Sequence, residues 1–156
     1  MLGTLTPEQM DDILLRHAVG RIACTDGLMP YVVPVSYAFN GTYLAVHSRP
    51  GEKIDIMRKN PNVWFLVDEI DDLANWRSVM IRGEYEEVMH PKERYYAMKF
   101  LVGNLQQRHV SETAGIAEMT RELGQRQEEP PLVRHIVYRI RIMEKTGRFE
   151  KRLVGR

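Results

Sequence analysis

Cysteine is almost absent: the chain of 156 residues has one, Cys24. A lone cysteine excludes an internal disulfide, leaves no Cys pair for a structural zinc site, and fits a reducing compartment such as the cytoplasm. Cys24 lies in the apolar run RIACT with no His or Lys adjacent in sequence, the setting of a buried, inert thiol rather than a nucleophile. Excess charge is absent too. The formal net charge is +1, so nothing draws the chain to nucleic acid or to an anionic membrane. No apolar run is long enough to cross a bilayer, and the opening stretch MLGTLTPEQMDD is acidic and polar rather than signal-like. The expected setting is cytoplasmic, with neither nucleic acid nor membrane as partner. Several fingerprints are also missing: no G-x-G-x-x-G, no P-loop and no G-x-S-x-G. His17, His47, His90, His109 and His135 form no H-x-x-H pair, so no metal site is expected.

What is present is an ordinary globular mix, 44% hydrophobic and 28% charged, long enough for one domain over residues 1–156 with a real core. TPEQMDDILLRHA opens with Thr6 as an N-cap, Pro7 at the first helical position and Gln9 closing a capping box; Ile13, Leu14 and His17 then line one side. GRIACT reads as a strand, Asp26-Gly27 as a turn, PYVVPVSYAF as a strand, Asn40-Gly41 as a hairpin and TYLAVHS as the returning strand. Residues 20–48 are thus a meander of three antiparallel strands. EKIDIMRK is a short helix stopped by Pro61. NVWFLVDE is a buried strand, IDDLAN a polar loop, and WRSVMIRGEYEEV a long strand with Gly83 at a bulge or bend. PKERYYAMKFLVGNLQQRH is a helix with Tyr95, Met98, Leu101 and Val102 on its apolar face, and SETAGIAEMTRELGQRQEE is a more polar helix or loop. In HIVYRIRIME, Ile136, Tyr138, Ile140 and Ile142 face one way and Arg139 and Arg141 the other. TGR is expected to turn, with a short strand after it. Six or seven short strands with hairpin turns, plus about three helices, predict an α+β fold: an antiparallel split β-barrel with flanking helices.

Three segments are candidates for chemistry. In HSRPGEKIDIMRKNP a strand hands over to a helix. Free N–H groups at a helix start favour an anion, Ser48 has a hydroxyl to give, Arg49 and Lys53 carry charge, and Gly51 permits close approach. A second reading has Ser48 capping the helix while the cations are solvated. In VVPVSY, Pro34 interrupts a strand and removes a ladder donor, which places it at an edge or bulge and leaves neighbouring backbone groups either open to a ligand or simply at an edge. In WRSV, Trp76 is suited to covering a flat ring and Arg77 and Ser78 to donating hydrogen bonds; a Trp packed on the lip of a barrel fits equally. His47 is either a catalytic or heme-binding group or an ordinary polar contact.

The order of these segments carries more than any one of them. GRIACTDGLMPYVVPVSYAFNGTYLAVHSRPGEKIDIMRKNPNVWFLVDE followed by WRSVMIRGEYEEV resembles the pyridoxamine 5′-phosphate oxidase-like superfamily of FMN-binding split barrels, in its nitroimidazole-reductase-like branch. The likeness spans roughly residues 5–105 and the late strand ending in TGR. It implies a homodimer with two FMN sites at the subunit interface, to which the helix after Pro91 and the late strand offer apolar surface. It further implies that the backbone of Val33, Pro34, Val35 and Ser36 runs beside the isoalloxazine ring. His47, Ser48 and Lys53, with Arg49 and Glu52 as neighbours, would hold the phosphate, and Trp76, Arg77 and Ser78 would reach the flavin from the other subunit. The C-terminal Trp and Arg pattern with which pyridoxamine phosphate oxidases hold pyridoxal phosphate is missing, which argues against vitamin B6 oxidation. Deazaflavin- and heme-binding relatives share the fold.

The function implied is an FMN-dependent oxidoreductase that reduces a small aromatic compound, nitro- or quinone-like, with electrons from a nicotinamide donor. The alternative is a flavin or heme carrier of the same fold with no turnover. No catalytic residue is assigned.

Overall fold

The computed structural model describes residues 1–108, 116–124 and 135–154. Their elements are β1 (Leu2–Thr4), α1 (Pro7–Arg16), β2 (Val19–Thr25), β3 (Pro30–Phe39), β4 (Tyr43–Ser48), α2 (Glu52–Lys59), β5 (Asn62–Asp72), β6 (Asn75–Glu87), α3 (Pro91–Gln106), α4 (Ile116–Gly124) and β7 (Ile136–Glu150). The strand order is β1-β7-β4-β3-β2-β5-β6, and β6 pairs back onto β7. Six strands therefore close a ring, and β1 is an appendage on β7. Every pairing is antiparallel. The barrel is split along β7. One edge of that strand pairs with β6 from Tyr138 to Glu150. The other pairs with β4 only through Ile136–Arg141 and with β1 only through Arg148–Glu150. Beside the gap, α1 supplies Asp11 to pair with Lys145, whose ammonium lies 5.7 Å from the centroid of the Phe39 ring.

Period-two patterning decides which side chains fill the barrel. Ile22, Val46, Phe65, Ile81, Tyr138 and Ile140 point inward, together with Ile13 and Leu14 from α1 and Ile54 and Met57 from α2. A second cluster lies outside the ring, where Ala97, Met98, Leu101, Val102 and Leu105 of α3 cover Ala38 and Val137, with Met119 of α4 packed on them. Gly20 faces the interior because nothing larger fits: a Cβ there would stand 2.2 Å from Phe65 Cε1. Thr6 caps α1, and both bonds of the capping box with Gln9 are made. The two hairpin glycines, Gly27 and Gly41, hold φ of 103° and 96°, values open to a residue without a Cβ.

Five expectations need correction. TGR is not a turn; β7 runs through it, and Gly147 is there because Leu5 Cβ and Met10 Cγ would each stand 2.8 Å from a Cβ. The segment IDDLAN is mostly ladder, since Ile70 pairs with Trp76 and Asp72 with Asn75, leaving a tight tip at Leu73–Ala74. Tyr95 is 41% exposed, because the buried stripe of α3 runs through residues 97, 98, 101, 102 and 105. The described helices number four, not three, and the three-residue β1 was not foreseen. The register shift expected near Gly83 is present, but the extra residue is Met143 on β7, since Arg82 pairs with Glu144 and Gly83 with Ile142. The flanks of the segment holding α4 lie outside the described residues.

Candidate functional site

The backbone of β3 supplies the first part of the site. The Tyr37 N–H donates to the Ala18 carbonyl across from β2 (2.8 Å). Hydrogen-bonding sides alternate along an antiparallel strand, so Val33 and Val35 also direct their backbone groups to β2, while Val32, Pro34 and Ser36 direct theirs to the opposite edge. On that edge β4 pairs only with Tyr37–Phe39. From Pro30 to Ser36 the edge has no strand partner among the described residues, and Pro34 stands where its missing N–H costs no ladder bond. Side chains alternate likewise: Val33 and Val35 pack on the interior cluster, whereas Pro34 is exposed and Ser36 half-buried on the outer surface.

The turn after β4 supplies the second part. Ser48 is 7% exposed, and its Oγ donates to the Arg49 carbonyl (2.9 Å). It does not cap α2. The N-cap is Gly51, with no side-chain hydrogen bond to the helix, so among the described residues no side chain caps the first-turn N–H groups. Lys53, in that turn, is half-buried. Burial lowers its pKa, and the nearby Cys24 thiol works in the other direction. No carboxylate is ion-paired with Lys53 among the described residues, so its partial desolvation is not offset by a counter-charge there. The Cys24 thiol is raised by its own burial, with Lys53 opposing, which keeps it protonated and inert. Arg49 and Glu52 are exposed beside the turn. The His47 ring stacks on His135, with centroids 4.6 Å apart and planes 14° apart. That stack was not legible in the sequence; it follows from the pairing of β4 with the start of β7, in which His47 stands opposite Val137.

Trp76, Arg77 and Ser78 open β6. The Trp76 indole N–H donates to Glu150 Oε2 (3.0 Å), Arg77 is exposed, and Ser78 is half-buried between Asp68 and Arg148. Their distance from the turn is set by β7: Ser48 pairs with its first residue, Ile136, and Trp76 with its last, Glu150. Across the other side of the ring, Pro34 pairs with Arg21, Arg21 with Leu66 and Leu66 with Met80, and Ser78 pairs with Asp68, so the start of β6 lies on the same sheet face as the open edge of β3, three strands away. Among the described residues, no group of three or more His, Cys, Asp or Glu is placed to hold a metal, and no helix is long and apolar enough to cross a membrane.

Comparison with known proteins places this geometry. The family model for pyridoxamine 5′-phosphate oxidase matches residues 6–149. An uncharacterized protein of Rhizobium meliloti is 36% identical over 84 residues, which is 54% of this chain and 56% of that relative, so the match spans little more than half of the curated relative. A FAD-binding protein from Mesorhizobium loti superimposes with a TM-score of 0.68 at 30% identity, over 97% of this chain and 98% of that one. A protein from Bacteroides thetaiotaomicron named for 5-nitroimidazole antibiotic resistance superimposes with a TM-score of 0.68 at 19% identity, over 96% and 89% of the two chains; at that identity the likeness is one of fold. With a ring of antiparallel strands split along β7 and a match over nearly its whole length, the chain belongs to the pyridoxamine 5′-phosphate oxidase family and has the split-barrel fold of that superfamily.

Proposed function

We propose that this chain is a flavoprotein, with FMN as its cofactor, and that it works as a homodimer reducing a small nitro- or quinone-like aromatic compound with electrons from a nicotinamide donor. The observation that carries the flavin reading is Lys53: a half-buried ammonium without an ion pair among the described residues, in the first turn of a helix that has no side-chain cap. Lys53 and the N–H groups of α2 fit a phosphate in charge and donor type, and the Ser48 hydroxyl joins them on giving up its bond to the Arg49 carbonyl. The open edge of β3 fits the other end of the ligand, since the Ser36 N–H and the Pro34 and Ser36 carbonyls are the kinds of group that read the polar rim of a flat heterocycle. The FAD-binding protein of Mesorhizobium loti, alike over its whole length, supports a flavin of one kind or another.

When bound, the flavin supplies the electron-transfer chemistry, and the protein supplies binding, orientation and electrostatics. In this reading Lys53 neutralises the phosphate, β3 aligns the ring, and Arg77 and Ser78 donate to its polar end from the other subunit. Trp76, held by Glu150, borders the face left to the substrate. The test is reconstitution. Purified protein incubated with FMN, FAD or heme and then desalted should keep FMN, recognised by its absorbance, with reduction by NADH or NADPH followed in a stopped-flow instrument. Retention of FAD in preference to FMN moves the assignment to the larger flavin. A heme band with no flavin overturns it. Retained flavin that no nicotinamide donor reduces makes the protein a carrier.

A further inference from the structure

We propose that His135 is a positioning residue of the turn at residues 47–53: the face of its ring fixes the plane of His47, so that His47 meets the anionic end of the ligand already oriented. The inference rests on the flavin reading only for what that ligand is. His135 lies outside the three segments that the sequence marked for chemistry, and the register brings it there. In the ladder between β4 and β7, His47 stands opposite Val137 and Ser48 opposite Ile136. His135 therefore comes one step further along, level with the start of the turn. Val46 and Ile136 point into the barrel, so their neighbours His47 and His135 project from the outer face. They stand on a diagonal across the two strands, a separation that ring side chains bridge. The rings lie 4.6 Å apart between centroids, with planes 14° apart.

Packing holds the His135 ring in place. The residue is 9% exposed, and its Nδ1 has no hydrogen-bond partner among the described residues. A buried nitrogen left so is a cost to the fold, and a leucine, of similar volume, would fill the space without it. What a leucine lacks is a flat face. A flat ring lying nearly parallel against His47 leaves that half-buried side chain one ring orientation. His47 immediately precedes Ser48, at the entry to the turn. Orienting it before the ligand arrives removes an ordering cost that binding would otherwise carry. The stack thus acts on the ligand through His47, without a contact of its own.

His135→Leu and His135→Phe separate stacking from packing, because both fill the space and only phenylalanine has a face. His135→Leu is expected to raise the Kd for FMN about threefold to tenfold, the cost of ordering one side chain. Riboflavin, which has no phosphate, should bind this variant as it binds wild type. Stability to urea should be unchanged or higher, since the unpartnered nitrogen is gone. His135→Phe should bind FMN within about twofold of wild type. In a His47→Ala background, His135→Leu should have no further effect on FMN. A His135→Leu chain that binds FMN like wild type, or that loses FMN and riboflavin alike, overturns the positioning role. So does a His135→Phe chain no better than His135→Leu, or a further loss in the His47→Ala background. Should His135→Leu fail to fold, His135→Met, which also lacks a face, takes its place. If wild type takes no flavin, the flavin reading falls and inorganic phosphate becomes the probe. The NMR signals of the His47 ring protons should then shift at lower phosphate concentration in wild type and His135→Phe than in His135→Leu; equal or absent responses overturn the inference.

Discussion

Replacing Lys53 by methionine tests the anion site, because the variant keeps the buried stem and loses only the charge. Two opposite effects are expected. In the protein without ligand, a half-buried ammonium that lacks an ion pair among the described residues is a cost, so its removal should leave stability to urea unchanged or raise it. With FMN, the same change deletes a charge-assisted hydrogen bond to phosphate, worth about 1.5–3 kcal/mol, which is roughly a tenfold to 150-fold rise in Kd. Riboflavin, which has the ring but no phosphate, should bind wild type and variant alike. If protonated Lys53 and the phosphate dianion are the partners, FMN affinity should be full above the second phosphate pKa of about 6 and decline as pH rises through the pKa of Lys53. Burial lowers that pKa from 10.5, so the decline starts at lower pH than for an ordinary lysine and is missing in the variant. Fluorescence quenching of the flavin during titration measures all of this. An unchanged Kd for FMN refutes the phosphate role. An equal loss for riboflavin moves Lys53 to the ring, and a clear loss of stability without ligand reveals a structural partner in place of a waiting site.

Gly20→Ala would place a Cβ 2.2 Å from Phe65 Cε1, and Phe65 is fully buried with its ring edge-on to Tyr37; chemical denaturation should register a loss of about 1–3 kcal/mol. Tyr138→Phe removes a fully buried hydroxyl that has no hydrogen-bond partner among the described residues; calorimetry should find the melting temperature unchanged or a few degrees higher, about 2–4 °C per kcal/mol for a chain of this size, and a marked fall would mean that the hydroxyl is satisfied by water. Burial acts to raise the pKa of Glu69, but the His17 Nε2 contact at 2.7 Å and the Arg16 Nη1 contact at 2.5 Å together hold its carboxyl below the ordinary 4.5. A depressed carboxyl stabilises the fold above its unfolded pKa and ceases to do so as pH falls through its folded pKa. Glu69→Gln should therefore cost about 0.5–1 kcal/mol near neutral pH, and the gap to wild type in urea melts should close in acid; a gap that persists at low pH would contradict the ion-pair origin.

Local chemistry carried most of the fold into the sequence. Thr6, Pro7 and Gln9 determined the start of α1; Asp26-Gly27 and Asn40-Gly41 determined the first two hairpins; alternation in the last long strand determined which residues enter the barrel. These signals act over a few residues, so they are readable without knowing what lies across the sheet. Pro34 is of the same kind, since a residue without an N–H constrains its own strand wherever the partners are. Gly147 and Gly20 are the opposite case. A glycine in TGR looks like a turn, and only the crossing of Leu5 and Met10 over β7 makes it a packing position inside a strand. The candidate site divides in the same way. The residue types of the turn at 47–53 pointed to an anion, but the partial burial of Lys53 beside Cys24 and the failure of Ser48 to cap α2 depend on how the helix lies against the barrel. The stack of His47 on His135 was decided by the register of β4 on β7. Pairing between residues far apart in the chain leaves no local trace, and that pairing alone determines which residues stand side by side across the ring.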